Sequence, residues 1–275
     1  MRYAEYSFSP GLSPFVSGYW TFEKEAGEGS LDLDYAWPEA GGSLIVSLGD
    51  PVMGPAGPFP SVVVAAGIRT PIELRLPERA RMTGFRFRAG GMRALLGLSP
   101  AEVGGVEALA GSWTRELAER LFALSDTDKG AAIALESALA AQLRRGETWA
   151  RAARAEILFI RRLERADVPF LACEGRGSLR SLQRAWPEAS GYCPCEYRAV
   201  LRCELARVAL FSQPDRELSE LALDLGFFDL PHFCRTFKRW SGLTPEGYRR
   251  FVEPHRARFP GWGSIILAGA GKDGA

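Results

Sequence analysis

Side chains able to read a polyanion are concentrated in the back half of this 275-residue chain. Arg180, Gln183 and Arg184 fall at i, i+3 and i+4, so on a helix they would project from one side. In a DNA groove, Arg pairs with guanine O6 and N7, and Gln with adenine N6 and N7. Further on, Leu230, Pro231, Cys234 and Arg235 would share one side of a second helix. Arg235 is the base reader expected there. Lys238 and Arg239 suit phosphates, contacts that position without specifying. Leu230 and Pro231 would touch thymine methyls or only shape the start of the helix.

The front half offers different chemistry. Phe15, Tyr19, Trp20, Phe22, Tyr35 and Trp37 crowd one region. Small-molecule pockets are largely apolar and aromatic with a few polar anchors, although plain core packing uses the same residues. Arg86 and Arg88 alternate with Phe85 and Phe87 and would share one strand face. Facing into a barrel, they could hold an anionic ligand bidentately; facing out, they would be solvated. Trp20, Trp37, Arg86 and Arg88 are therefore the candidate effector-binding residues. Asp32, Asp34, Glu39 and Asp50 offer acid–base chemistry or ordinary surface turns. No His precedes His232, which argues against a His-ligated metal and against a Ser–His or Cys–His nucleophile. His232 and His255 are too few for a metal site of their own. Cys193-Pro194-Cys195, with Cys203 one or two turns on, could bind a soft metal, sense redox or supply small buried residues. No catalytic residue, metal site or cofactor is expected.

The second basic set requires a particular scaffold. Leu218, Leu221, Ala222 and Leu225 define one buried helical face. Gly226 stops that helix, because glycine adopts the left-handed conformation without strain. Asp229 can cap the next helix, with Pro231 in its first turn and Phe233 and Phe237 facing inward. A helix, a Gly turn and a second helix with a basic outer side form a helix-turn-helix.

The chain also repeats itself. At a shift of 51 residues, Leu182 meets Phe233, Arg184 meets Arg235 and Trp186 meets Phe237. The same shift brings Ser190-Gly191 onto Ser241-Gly242, Pro194 onto Pro245, and Tyr197-Arg198 onto Tyr248-Arg249. Two copies of one unit are expected, at about 168–194 and 218–245. In the first copy Val168–Glu174 is short and carries Pro169, and Pro187 should end or kink the helix near Trp186. Between the copies, residues 196–212 should form one linker helix, packed through Val200, Leu201, Leu205, Val208 and Leu210.

Two such units, the second ending GF…HF-x-R-x-FKRW-x-G-x-TP…YR, resemble the AraC family of bacterial transcription regulators. The resemblance is close over Leu218–Phe251 and looser over Phe170–Ala209. It implies a double-stranded promoter as partner, read by two recognition helices one DNA turn apart. Arg180, Gln183 and Arg184 match positions where family members touch bases, and Arg202 and Ala206 match the family's linker helix. The family commonly carries a front domain that senses a small molecule or mediates dimerisation, and activators engage RNA polymerase. The Trp-Pro-Glu-Ala-Gly-Gly and Gly-Phe-Arg-Phe-Arg segments are similar to one such front domain.

Composition agrees with two domains. Residues 1–147 hold 14 Lys and Arg against 18 Asp and Glu; residues 148–260 hold 19 against 14, and 18 of the 19 are Arg. Only the back half is suited to a polyanion. Phe15–Phe22, Ser43–Leu48, Ser61–Ala65, Ile72–Leu76 and Met82–Phe87 read as short strands punctuated by Gly and Pro, suggesting a cupin-like β-barrel. Helices follow, marked by Trp113, Leu117, Leu121 and Leu124 and then by Ile133, Leu135, Leu139 and Leu143. The Leu stripe is either a dimer seam or a face packed on its own sheet. The expected fold is α+β and multidomain: a β-rich domain over 1–147, an all-α double helix-turn-helix domain over 148–252 and a tail over 253–275. No signal peptide or membrane span is evident, and five Cys at irregular spacing fit a reducing cytoplasm. Two other readings remain open. One is a protein-interaction regulator with degraded DNA binding, signalled by Pro169, Pro187 and Leu230-Pro231. The other is a Cys-based DNA-repair enzyme, though no Cys precedes Cys173.

Overall fold

The computed structural model describes residues 2–6, 10–27, 34–109, 111, 115–117, 119, 128–145 and 186–256. The front half is β-rich, and its strands are β1 (Arg2–Tyr6), β2 (Val16–Lys24), β3 (Asp34–Ala36), β4 (Ser43–Ser47), β5 (Met53–Gly54), β6 (Gly57–Pro58), β7 (Val62–Ala66), β8 (Ile72–Leu74) and β9 (Ala80–Phe87). Helices α1 (Gly91–Leu96) and α2 (Pro100–Val103), strand β10 (Gly105–Ala108) and helix α3 (Asp128–Arg145) follow. The main sheet runs β1-β2-β9-β4-β7-β10, antiparallel throughout, and β3-β8 and β5-β6 form two small pairs.

Two-residue periodicity separates the two faces of the main sheet. Tyr19, Leu44, Val46, Val64, Phe85 and Phe87 point to one face and are almost fully buried with Met92 and Leu95 of α1 and Leu139 of α3. Leu139, one residue of the Leu stripe, thus packs on its own sheet. The opposite face carries Trp20, Phe22, Ser43, Ile45, Ser47, Met82 and Arg86. A cavity of about 190 Å³ lies over it, closed by Tyr35, Trp37, Leu74 and Leu76. Gly84 lets Trp20 lie over the sheet: a Cβ there would come within 2.9 Å of the Trp20 ring.

The back half is helical: α4 (Pro194–Ser212), α5 (Leu218–Asp224), α6 (Leu230–Ser241) and α7 (Pro245–Arg256). Helix α4 begins two residues before the expected linker helix, since Pro194 fits a first turn where its missing N–H costs nothing. Arg256 of α7 donates to Leu210 O and Phe211 O, satisfying carbonyls at the end of α4. Residues 186–190 are helical, so helix is present on the far side of Pro187. The segment 178–185, whose end or kink near Trp186 was expected, lies outside the described residues.

Candidate nucleic-acid interface

Helix α5 buries Leu221 and Ala222, with Leu218 and Leu225 packed beside them. It stops at Gly226, whose φ of 72° is left-handed. Asp229 then accepts the His232 N–H at 2.6 Å and caps α6, with Pro231 in the first turn. Phe233, Phe237 and Trp240 anchor the inner side of α6. Leu230, Pro231, Arg235, Lys238 and Arg239 are exposed on its outer side. Cys234 is half-buried. Arg239 lies over the Trp240 ring at 5.4 Å. Among the described residues, neither Arg235 nor Lys238 has a carboxylate partner. The expected second unit is therefore present, with its apolar side inward and its cations outward.

The repeat holds to the level of single hydrogen bonds. Ser241 Oγ donates to Phe237 O and lies against Leu243 O, and Gly242 follows at φ 73°. Ser190 Oγ makes the same contacts with Trp186 O and Tyr192 O, and Gly191 follows at φ 79°. Tyr248 meets Phe237 edge-on at 5.7 Å, as Tyr197 meets Trp186 at 5.4 Å. The first unit's base-reading candidates, Arg180, Gln183 and Arg184, lie outside the described residues, as do residues 148–185 generally and the tail after Arg256.

The two halves are joined across a polar and aromatic contact that no sequence pattern announces. Trp37, beyond the end of β3, meets Tyr248 and Phe251 of α7 edge-on at 5.7 and 6.2 Å. The Arg207 guanidinium of α4 lies 5.1 Å over the Trp37 ring and donates to Pro38 O. Glu204 of α4 accepts the Ala40 N–H at 2.6 Å. Burial raises the Glu204 carboxyl to about 7, the Glu39 carboxylate adds to the shift, and Arg207 opposes it. A second tie joins Arg69 to Glu196 at 2.7 Å, with Tyr192 OH donating to Ile68 O.

Of the four effector candidates, Trp20, Trp37 and Arg86 line the cavity. Arg88 does not: β9 ends at Phe87, and the Arg88 Nε donates to Ser13 O instead. The cavity's polar end is a cluster in which Ser43 donates to Glu39 at 2.5 Å and Arg86 lies 3.8 Å from Glu39. Glu39 belongs to the Trp-Pro-Glu segment read in the sequence, but only the fold gives Ser43 and Ser47 a role. Asp32 lies outside the described residues. Among those described, no group of His, Cys, Asp and Glu could hold a metal ion, and no helix is long and apolar enough to cross a membrane.

A family model described as a helix-turn-helix domain matches residues 176–250, and one described as a domain of unknown function (DUF6597) matches residues 4–107. The melibiose operon regulatory protein of Escherichia coli K12 is 33% identical over 66 residues, which are 24% of this chain and 22% of that protein. The chain thus matches about a fifth of the length of that curated relative. Among solved structures, ToxT of Vibrio cholerae is similar at a TM-score of 0.47 and 11% identity, over 92% of this chain and 100% of that one. ToxT bound to (E)-4-(8-methylnaphthalen-1-yl)but-3-enoic acid is similar at 0.44 and 10% identity.

Proposed function

We propose that this chain, an AraC-family regulator by its C-terminal double helix-turn-helix domain, binds promoter DNA sequence-specifically and controls transcription in response to a small molecule held by its front half. The observation that carries the reading is helix α6: three aromatic residues buried on one side, and Arg235, Lys238 and Arg239 exposed on the other. A helix of this form enters a major groove. Arg235 reads a base, Lys238 and Arg239 hold phosphates, and Leu230 and Pro231 border the groove at the start of the helix. Arg180, Gln183 and Arg184 do the corresponding work in the first unit, one helical turn (~34 Å) away.

In this reading residues 1–147 sense the effector and support dimerisation, and residues 148–252 bind DNA. The chain works in the cytoplasm, by binding and without catalysis, and engages RNA polymerase where it activates. The cavity supports an effector that is mostly apolar or aromatic, flanked by Trp20 and Trp37, with one polar group near Arg86, Glu39 and Ser43.

The test is capture of genomic DNA fragments by the purified chain at moderate salt, followed by sequencing. A motif of two blocks one turn apart is the expected result. A single block would restrict base reading to the second unit. No enrichment at any salt, with or without a library of small apolar ligands, would overturn the proposal.

A further inference from the structure

The duplicated units differ at one chemically active place. In the second unit Thr244 precedes α7 and its hydroxyl accepts the Gly247 N–H. At a shift of 51 residues Cys193 replaces Thr244 and Cys195 replaces Glu246. A cap position that needs only a hydroxyl therefore carries a thiol, and the acidic first-turn position carries a second. The two sulfurs are 3.0 Å apart, inside ordinary van der Waals contact for sulfur. Cys195 is exposed and Cys193 half-buried.

Their location is mechanically significant. Cys193 is the N-cap of α4, the helix joining the two units. Its N–H donates to Glu196, whose other carboxylate oxygen accepts from Arg69 of the front half. Arg69 also donates to Gly191 O in the turn just before. Moving Cys193 thus moves the start of the linker helix and a tie between the halves.

We infer that Cys193 and Cys195 are a peroxide-oxidisable dithiol whose closure to a disulfide weakens DNA binding. The exposed Cys195 thiolate attacks a hydroperoxide: an S–O bond forms, the O–O bond breaks, and the released oxygen leaves as water or alcohol after taking a proton. Cys193 then attacks the Cys195 sulfenic sulfur; the S–S bond forms, the S–O bond breaks, and water leaves. Two thiols are oxidised by two electrons and one peroxide is reduced. Burial, followed by the hydrogen bond with Cys195, raises the Cys193 thiol above its ordinary value, which disfavours it for the first attack and leaves that attack to the exposed Cys195.

The experiment treats the full chain with hydrogen peroxide and maps its thiols by peptide mass. The peptide holding Cys193 and Cys195 should lose two hydrogens and regain them with a reductant. Cys195→Ser should abolish the change. So should Cys193→Ser, which leaves a good cap in place. Cys173→Ser and Cys203→Ser should not. A disulfide to another cysteine, or over-oxidation of Cys195 with Cys193 untouched, overturns the assignment. The effect on DNA rests on the function proposed above. Oxidised wild type should bind its captured fragment roughly fivefold more weakly, the scale of one lost cap. Equal binding by both forms overturns the switch, whereas failure of the reduced form to bind any DNA overturns the regulator reading and leaves the disulfide mapping to stand alone.

Discussion

Trp37 lies edge-on to Tyr248, with ring centroids 5.7 Å apart at 78°. One residue is a wall of the cavity, and the other is the conserved-in-repeat tyrosine of the second helix-turn-helix unit, matched by Tyr197 in the first. The ligand-sized space and the DNA-binding half therefore share a side chain. Replacing Trp37 with Ala removes a half-buried indole from its contacts with Tyr35, Tyr248 and Phe251 and from the Arg207 guanidinium. The expected loss is about 3 kcal/mol, and calorimetry should resolve two transitions where the wild type shows one. An unchanged single transition would mean that the halves are held by other contacts.

Arg235 and Lys238 should separate by the kind of contact each makes. Arg235→Ala should cost ~1–3 kcal/mol of DNA affinity and relax the preference at one base position. Lys238→Ala should weaken binding to all sequences alike and reduce the salt slope by about 1. Binding titrations at several salt concentrations, on the preferred site and its single-base variants, check both.

The five sequence-read segments match β2, β4, β7, β8 and β9 within a few residues at each end. β1, β3, β5, β6 and β10 were not legible: β1 is five residues that include Arg2 and Glu5, the others are two to four residues long, and all are held by their partners. Residue types pointed to Trp20, Trp37 and Arg86, but Arg88 was misplaced because the alternation was carried one residue past the end of β9. The second unit was legible because each signal, Gly226, Asp229, Pro231 and the Phe pair, acts locally. The docking of the halves was not: Glu204 and Arg207 look like solvent positions on a linker helix until β-domain residues 37–40 close over them.

The Glu204 carboxyl makes that docking pH-dependent. Its pKa rises from 4.5 to about 7 in the folded chain, through burial first and the Glu39 carboxylate second, against Arg207, the Ala40 N–H and Arg86. A raised acid binds more protons folded than unfolded, so stability falls as pH climbs from about 4.5 to about 7 and is flat beyond. The full swing is on the order of 3 kcal/mol. Glu204→Gln keeps an acceptor for the Ala40 N–H and should flatten the curve over that interval. Denaturant midpoints measured at pH 5, 6, 7 and 8 (round settings spanning roughly the window) test this. A wild-type curve that rises with pH would contradict it.

Gly191 and Gly242 occupy the same turn in the two units, both left-handed, so Ala at either should cost ~1–2 kcal/mol of backbone strain. Their surroundings differ. A Cβ on Gly242 would meet only the Pro71 ring, with Cγ at an ordinary 3.7 Å and Cδ at 4.0 Å. One on Gly191 would lie 3.0 Å from the Gly67 backbone and 3.2 Å from Pro100, because the first unit's turn is pressed onto the front half. Backbone cannot swing aside as a flexible side chain can, so Gly191→Ala should be the more destabilising of the pair. It should also loosen the Arg69 contact with Gly191 O and the neighbouring tie to Glu196. Comparing the two variants by urea unfolding isolates the cost of contact from the cost of conformation. Equal losses would mean that the first unit is not held against the β-domain in solution.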